Sequence, residues 1–106
     1  MENQLNHQFA VSTLYEWFKR NEDNFIIKGE FVEFKDTGHG SAYINIDTKI
    51  YITQLCAWDN ASCLDIEIMK IQSEESSYLH IGECESLAIF EKNLKKYLKW
   101  FKSVSE

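Results

Sequence analysis

Proline is absent from this 106-residue chain and glycine occurs only four times. No stretch therefore has the composition of a flexible or proline-stiffened linker. With neither an internal repeat nor a low-complexity tract, residues 1–106 read as one domain, since two cores would each be too small to bury enough surface. Cysteine is sparse and odd in number, with three residues and no C-x-x-C pair, which suggests neither a disulfide framework nor a zinc site. No apolar run approaches the roughly 18 residues of a membrane span. The start, Met1 to His7, lacks the basic-then-apolar layout of a secretory signal. Cations are also short, with 11 Lys and Arg against 17 Asp and Glu and a net charge of −6. Direct nucleic-acid binding is disfavoured, because cations must displace the phosphate counterions. What is abundant is apolar, 44% of the chain with 14% aromatic, too much for intrinsic disorder. A soluble, cytoplasmic domain is expected.

The charge is unevenly spread. Residues 1–85 hold fifteen acids and six bases, and residues 86–106 hold Glu91 and Glu106 against Lys92, Lys95, Lys96, Lys99 and Lys102. The body is thus −9 and the C-terminal segment +3. Both fit solvated faces; an acidic body also suits docking to a basic partner.

Periodicity divides the chain into three parts. From Leu5 to Arg20, Phe9, Ala10, Thr13, Leu14, Trp17 and Phe18 recur at helical spacing, and Asn21, Asp23 and Asn24 favour a stop. The middle alternates like strands. Phe25 to Lys35 is aromatic and β-branched, and Asp36-Thr37-Gly38-His39-Gly40 is a turn with two glycines suited to positive φ. Ala42, Ile44 and Ile46 then oppose Tyr43, Asn45 and Asp47. Lys49 to Trp58 is apolar on both sides, as a central strand covered on both faces would be. Cys63 to Ile71 and Ser77 to Glu83 complete the set. Short turns between successive strands require antiparallel pairing. Last comes a helix capped by Ser86, with Leu87, Phe90, Leu94, Leu98 and Phe101 in one stripe. The expected fold class is α+β: an N-terminal helix, an antiparallel meander of four to five strands and a C-terminal helix, with both helices on one face of the sheet. The other face should carry Tyr43, Asn45, Asp65, Glu67, Tyr78 and His80.

No catalytic or cofactor motif stands out. Gly38-His39-Gly40 is too short for a phosphate loop, and no cofactor or metal is expected. A dyad of Cys56 or Cys63 with His80 is geometrically open, but cysteine is an ordinary core residue. Asp65 and Glu67, two apart on a strand, imitate paired catalytic carboxylates, although a solvated strand face has the same pattern. Trp58 is assigned to the core, because most tryptophan surface is buried. The residual signal is a surface in the sheet half that mixes carboxylates with aromatics.

One stretch is familiar. Ala57-Trp58-Asp59-Asn60-Ala61-Ser62-Cys63-Leu64-Asp65-Ile66-Glu67-Ile68, then Ser73-Glu74-Glu75, then Tyr78-Leu79-His80 and a helix through Leu94 to Trp100 resemble the TriTu-type immunity proteins of contact-dependent growth inhibition systems. The resemblance is close over residues 50–101 and loose over 5–20. In place of a glycine expected after Trp58, this chain has Asn60-Ala61-Ser62. The resemblance implies a small cytoplasmic protein, not an enzyme, that binds and blocks the C-terminal toxin domain of a delivered effector. It further implies a toxin like a tRNA-cleaving ribonuclease, some of which act with elongation factor Tu, and no direct contact of the inhibitor with nucleic acid or membrane.

Electrostatics then selects the expected partner-binding residues. Asp65, Glu67, Glu74 and Glu75, with Asp59 and Tyr78, stand in for RNA phosphates in a cationic toxin groove. The competing expectation is a small-molecule-binding or hydrolytic domain, with a ligand pocket on the open sheet face near Tyr43, Tyr78 and His80.

Overall fold

A computed structural model describes residues 9–104 of the protein. Its elements are α1 (Ala10–Lys28), β1 (Phe31–Asp36), β2 (Ser41–Asp47), β3 (Tyr51–Trp58), β4 (Cys63–Lys70), β5 (Glu75–His80) and α2 (Leu87–Ser103). The five strands form one antiparallel sheet in sequence order, β1-β2-β3-β4-β5. This is the α+β meander that the alternation and the short turns require.

Both helices lie on the same face. Ala42, Ile44 and Ile46 of β2, Leu55 and Ala57 of β3, and Leu64 and Ile66 of β4 point at them and are fully buried. Against these the helices bring aromatic rings. Trp17, Phe25, Tyr97 and Phe101 are joined by centroid distances of 5.4 Å (Trp17–Phe25 and Phe25–Phe101) to 6.4 Å (Phe25–Tyr97). Phe9 and Phe90 meet edge to face at 5.6 Å at the opposite end of the core. Such pairs add about 0.5–1.5 kcal/mol each to the area they bury.

Helix α1 runs well past its expected stop. Asn21 and Asn24 turn their amides back into the helix, Asn21 Nδ2 donating to Trp17 O and Asn24 Nδ2 to Asn21 Oδ1. Phe25, read from sequence as the start of a strand, is instead fully buried in the helical stripe. Burying that ring outweighs the weak helical preference of the polar residues before it. The first strand accordingly starts at Phe31. The expected helical residues Leu5 to Gln8 lie outside the described residues.

Charged groups hold the helix ends from a distance. Phe9, at the N-cap of α1, supplies no side-chain cap. The Asp59 carboxylate, from the β3–β4 turn, accepts the Val11 N–H at 3.0 Å instead, placing an anion at the positive end of the helix. At the other end of α1, Lys28 Nζ donates to the carbonyls of Phe101 (2.9 Å) and Val104 (2.6 Å) and more weakly to Lys102 (3.3 Å). Its cation thus sits on the negative end of α2. Ser86 caps α2 as expected, its hydroxyl accepting from Ile89 N at 3.2 Å.

Two expectations about facing are corrected. Strand β3 is central, but the helices cover one side only, and Ile52 and Trp58 on its other side are each 39% exposed. Trp58 is therefore not a core residue. The second correction is His80. Glu67 pairs with Tyr78 but Ile66 pairs with His80, so Leu79 is an extra residue in β5. This bulge re-aims the strand and sends His80 to the helix side, where its Nδ1 meets Leu64 O at 2.6 Å. In α2 the largest buried side chain is Tyr97, outside the expected stripe, whereas Leu87 is exposed. Tyr97 enters the core because its hydroxyl is satisfied. Thr53 Oγ1 lies 2.8 Å from both Ile46 O and the Tyr97 hydroxyl. A carbonyl only accepts, so Thr53 donates to Ile46 and Tyr97 donates to Thr53. Burial pushes the Tyr97 hydroxyl well above the usual phenol range, with the Thr53 contact acting against it, so it stays protonated and able to donate.

Two predictions follow from this packing. Thr53→Val strands the buried Tyr97 hydroxyl and should cost about 1–3 kcal/mol in urea unfolding. Tyr97→Phe, which leaves the Thr53–Ile46 bond in place, should cost less, and the double variant less than the sum of the two. At Gly29, a Cβ would stand 2.7 Å from Phe25 O and 2.6 Å from Val32 Cγ2. Gly29→Ala should therefore cost about 1–3 kcal/mol, although Gly29 has ordinary extended backbone angles; an unchanged denaturant midpoint would show that the helix-to-strand joint yields freely.

Candidate functional site

The sheet face turned away from the helices is ordered in rows set by the strand register. Trp58 stands between Ser41 and Cys63. The next row is Lys35, Tyr43, Cys56 and Asp65, and the one after it runs across all five strands as Glu33, Asn45, Gln54, Glu67 and Tyr78. The last is Phe31, Asp47, Ile52, Met69 and Ser76. Apolar side chains thus occupy the two ends, and a polar band crosses the middle. Glu33, Asp47, Asp65 and Glu67 oppose the single cation Lys35, so the face is acidic.

The polar band is bonded in one direction. Cys56 Sγ donates to Gln54 Oε1 at 3.4 Å, Gln54 Nε2 to Asn45 Oδ1 at 2.9 Å, and Asn45 Nδ2 to Glu33 Oε1 at 3.5 Å. This chain fixes the amides and ends on the Glu33 carboxylate. Glu67, next along the row, takes no part in it and forms no hydrogen bond or ion pair with the described residues. Asp65 has one oxygen engaged, Oδ1 accepting from Gly82 N at 2.8 Å. Both carboxylates bear on Cys56: burial first, then Asp65 and Glu67, push its thiol up to about 11. Cys63 is raised by burial and by Asp65 and Glu83. Neither thiol is ionised near neutral pH, which is the opposite of what a nucleophile requires.

The six expected partner-binding residues are dispersed. Asp65, Glu67 and Tyr78 come together on the outer face, and Tyr78 is 50% exposed. Glu74 is exposed in the β4–β5 turn with φ 60°. Glu75, opposite Lys70, lies on the helix side of the sheet, where it lines a hollow with Tyr51 and Ile68. Asp59 caps α1. The outer-face residues missed from sequence are Trp58 and Ile52, because an apolar residue on a central strand carries no mark of which face lacks a cover; Met69 lies beside Asp65 and Glu67 on the outer face, as the alternation of β4 requires. The turn where a glycine was expected holds Ser62, in the left-handed region at φ 49°.

Other chemistry finds no assembly here. The sheet separates His80 from Cys56 and Cys63. The sulfur near His80 is instead that of buried Cys84, 3.8 Å from Nε2, with its thiol raised chiefly by burial. The bulge in β5 places His80 on the helix side of the sheet, away from Tyr43 and Tyr78 on the outer face. The outer face has a depression of about 220 Å³ among Asn45, Ile52, Gln54, Glu67 and Met69, with no histidine or cysteine in its lining. Among the described residues no group of three or more His, Cys, Asp or Glu side chains is placed to hold a metal ion, and no helix is long and apolar enough to cross a membrane.

The outer sheet face is open and acidic, with aromatic and apolar side chains toward its two ends. No curated protein and no solved structure matches the chain. The family model described as "Immunity protein TriTu" matches residues 12–100, from the first turns of α1 to the last turn of α2. The chain therefore belongs to the TriTu immunity protein family, whose name assigns it the neutralisation of a toxin.

Proposed function

We propose that the protein neutralises its cognate toxin by laying the outer sheet face over a cationic site of that toxin, as a stoichiometric inhibitor that turns nothing over. The observation that carries this reading is the Glu67 carboxylate. Among the described residues it has no hydrogen-bond or ion-pair partner, and it stands in a row that crosses all five strands, beside Asp65 and Tyr78, on the face turned away from both helices. A carboxylate left unpaired by its own fold is available for a charge-assisted bond to an incoming Arg or Lys. Tyr78 and Trp58 offer the aromatic area in which interfaces concentrate binding energy.

The toxin class is part of the proposal. A ribonuclease holds its substrate in a cationic groove, and Asp65, Glu67 and Glu74 can occupy the places of phosphate oxygens there. A tRNA-cleaving toxin of a contact-dependent growth inhibition system fits the family and the charge together. The inhibitor would meet it in the cytoplasm, and would approach elongation factor Tu only through the toxin. Glu75 and Asp59 are left out of the contact, because one faces the helix side and the other is engaged with α1.

The test is affinity for the cognate toxin domain. Asp65→Asn, Glu67→Gln and Glu74→Gln in one chain keep side-chain volume, and asparagine retains an oxygen for the Gly82 N–H. The triple variant should bind at least about tenfold more weakly at low salt, with slower association, and the wild-type advantage should shrink as salt rises. Unchanged affinity at low salt contradicts the electrostatic reading, and cleavage of RNA by the chain alone contradicts the non-catalytic one.

A further inference from the structure

The outer face is not flat. Its depression of about 220 Å³ is lined by Asn45, Ile52, Gln54, Glu67 and Met69, all from the three middle strands β2, β3 and β4. The register sorts this lining into two walls. Asn45, Gln54 and Glu67 are direct neighbours in one row, and Ile52 is paired with Met69 in the next. One wall therefore forms hydrogen bonds and the other is apolar. No cation is in the lining. Asp47, opposite Ile52 on β2, adds a second carboxylate at the margin. Lys35 stands on β1, two rows from Ile52 and three strands from Glu67.

The hydrogen bonds of the polar row decide what the depression can take. A carboxylate only accepts, so Asn45 turns Nδ2 to Glu33 and Oδ1 to Gln54. Gln54 in turn directs Nε2 toward β2, and its Oε1 is left to accept from the Cys56 thiol. The Gln54 amide nitrogen is thus drawn away from Glu67, its neighbour on β4. Glu67 is half-buried, yet no donor among the described residues reaches its carboxylate. Asn45 Oδ1 and Gln54 Oε1 each accept one bond and keep a second lone pair. The complementary group carries a positive charge, several N–H donors in one plane and an apolar stem.

An arginine side chain has all three features. Its guanidinium can give two parallel bonds to a carboxylate and still hold donors for a neighbouring carbonyl oxygen. It is more weakly hydrated than an ammonium, so it gives up water beside an apolar wall at less cost than lysine does. Its stem can lie on Ile52, and Met69, unbranched and polarizable, can mould to the rest. We infer that the depression is the seat of a single arginine from the toxin, with its guanidinium paired to Glu67 and its stem on Ile52 and Met69. The inference rests on the outer face being the toxin contact, and adds which cation is read there and by which residues.

Two experiments test it, one of them without the toxin. In methyl NMR spectra of the full chain, N-acetyl-L-argininamide titrated to about 100 mM should shift the Ile52 and Met69 methyls along a saturable curve. N-acetyl-L-lysinamide should bind at least about threefold more weakly, and Glu67→Gln, which keeps side-chain volume, should abolish the difference. No shift with the arginine compound, equal responses to both, or a preference that survives Glu67→Gln would each overturn the inference and leave the toxin contact standing. In the second experiment each arginine of the cognate toxin domain is replaced by lysine in turn. One replacement should cost at least about tenfold in affinity for the wild-type chain and much less for the Glu67→Gln chain, the coupling expected of a direct contact. If no toxin arginine couples to Glu67 while the Asp65, Glu67 and Glu74 triple variant still binds weakly, the arginine is removed from the depression and the outer face is kept. Unchanged binding by the triple variant removes both.

Discussion

Both helices are amphipathic in one direction, and their aromatic residues have to meet one another as well as the sheet. That constraint governs the molecule. Phe25 and Tyr97, from different helices, lie 6.4 Å apart, and each is fully buried against a sheet face made mainly of aliphatic residues, with Thr53 and Phe34 among them. A helix moved to the opposite face would expose half of this cluster to water, at about 1.5–3 kcal/mol for each large side chain. The two helices are thus committed to one side, and the other side of the five-stranded sheet is left uncovered. The proposed toxin contact rests on that one-sided core.

Charge is divided along the same line. Asp59 and Lys28 spend their charges on helix ends, and Asp65 spends half of its carboxylate on the backbone at Gly82. Glu33 terminates the amide chain of the outer face. Glu67, on the same face, forms no hydrogen bond or ion pair with the described residues.

The strand order and the one-sided packing were legible in the sequence, because alternation in Ala42-Tyr43-Ile44-Asn45-Ile46 and the stripe of α2 each allow one reading. Family membership was legible too, in the run from Ala57 to Ile68. Three features were not. Helix α1 passes through Asn21 and Asn24 because Phe25 is drawn into a core that includes Tyr97 and Phe101, more than seventy positions away. His80 changes face because one residue, Leu79, is inserted against β4, and a bulge has no periodicity to announce it. Within the expected site, Asp59 looks like Asp65 in sequence, and only the position of Val11 N separates a helix cap from a free surface acid.

The claim that the outer sheet face is the toxin contact is tested most directly by methyl cross-saturation from the bound toxin to this chain. Saturation should reach the Ile52 and Met69 methyls on the outer face and bypass Ile26 and Ile27, which end α1 and are more exposed than Ile52, Ile27 at 81%. Saturation of Ile26 and Ile27 with Ile52 and Met69 untouched would contradict the account.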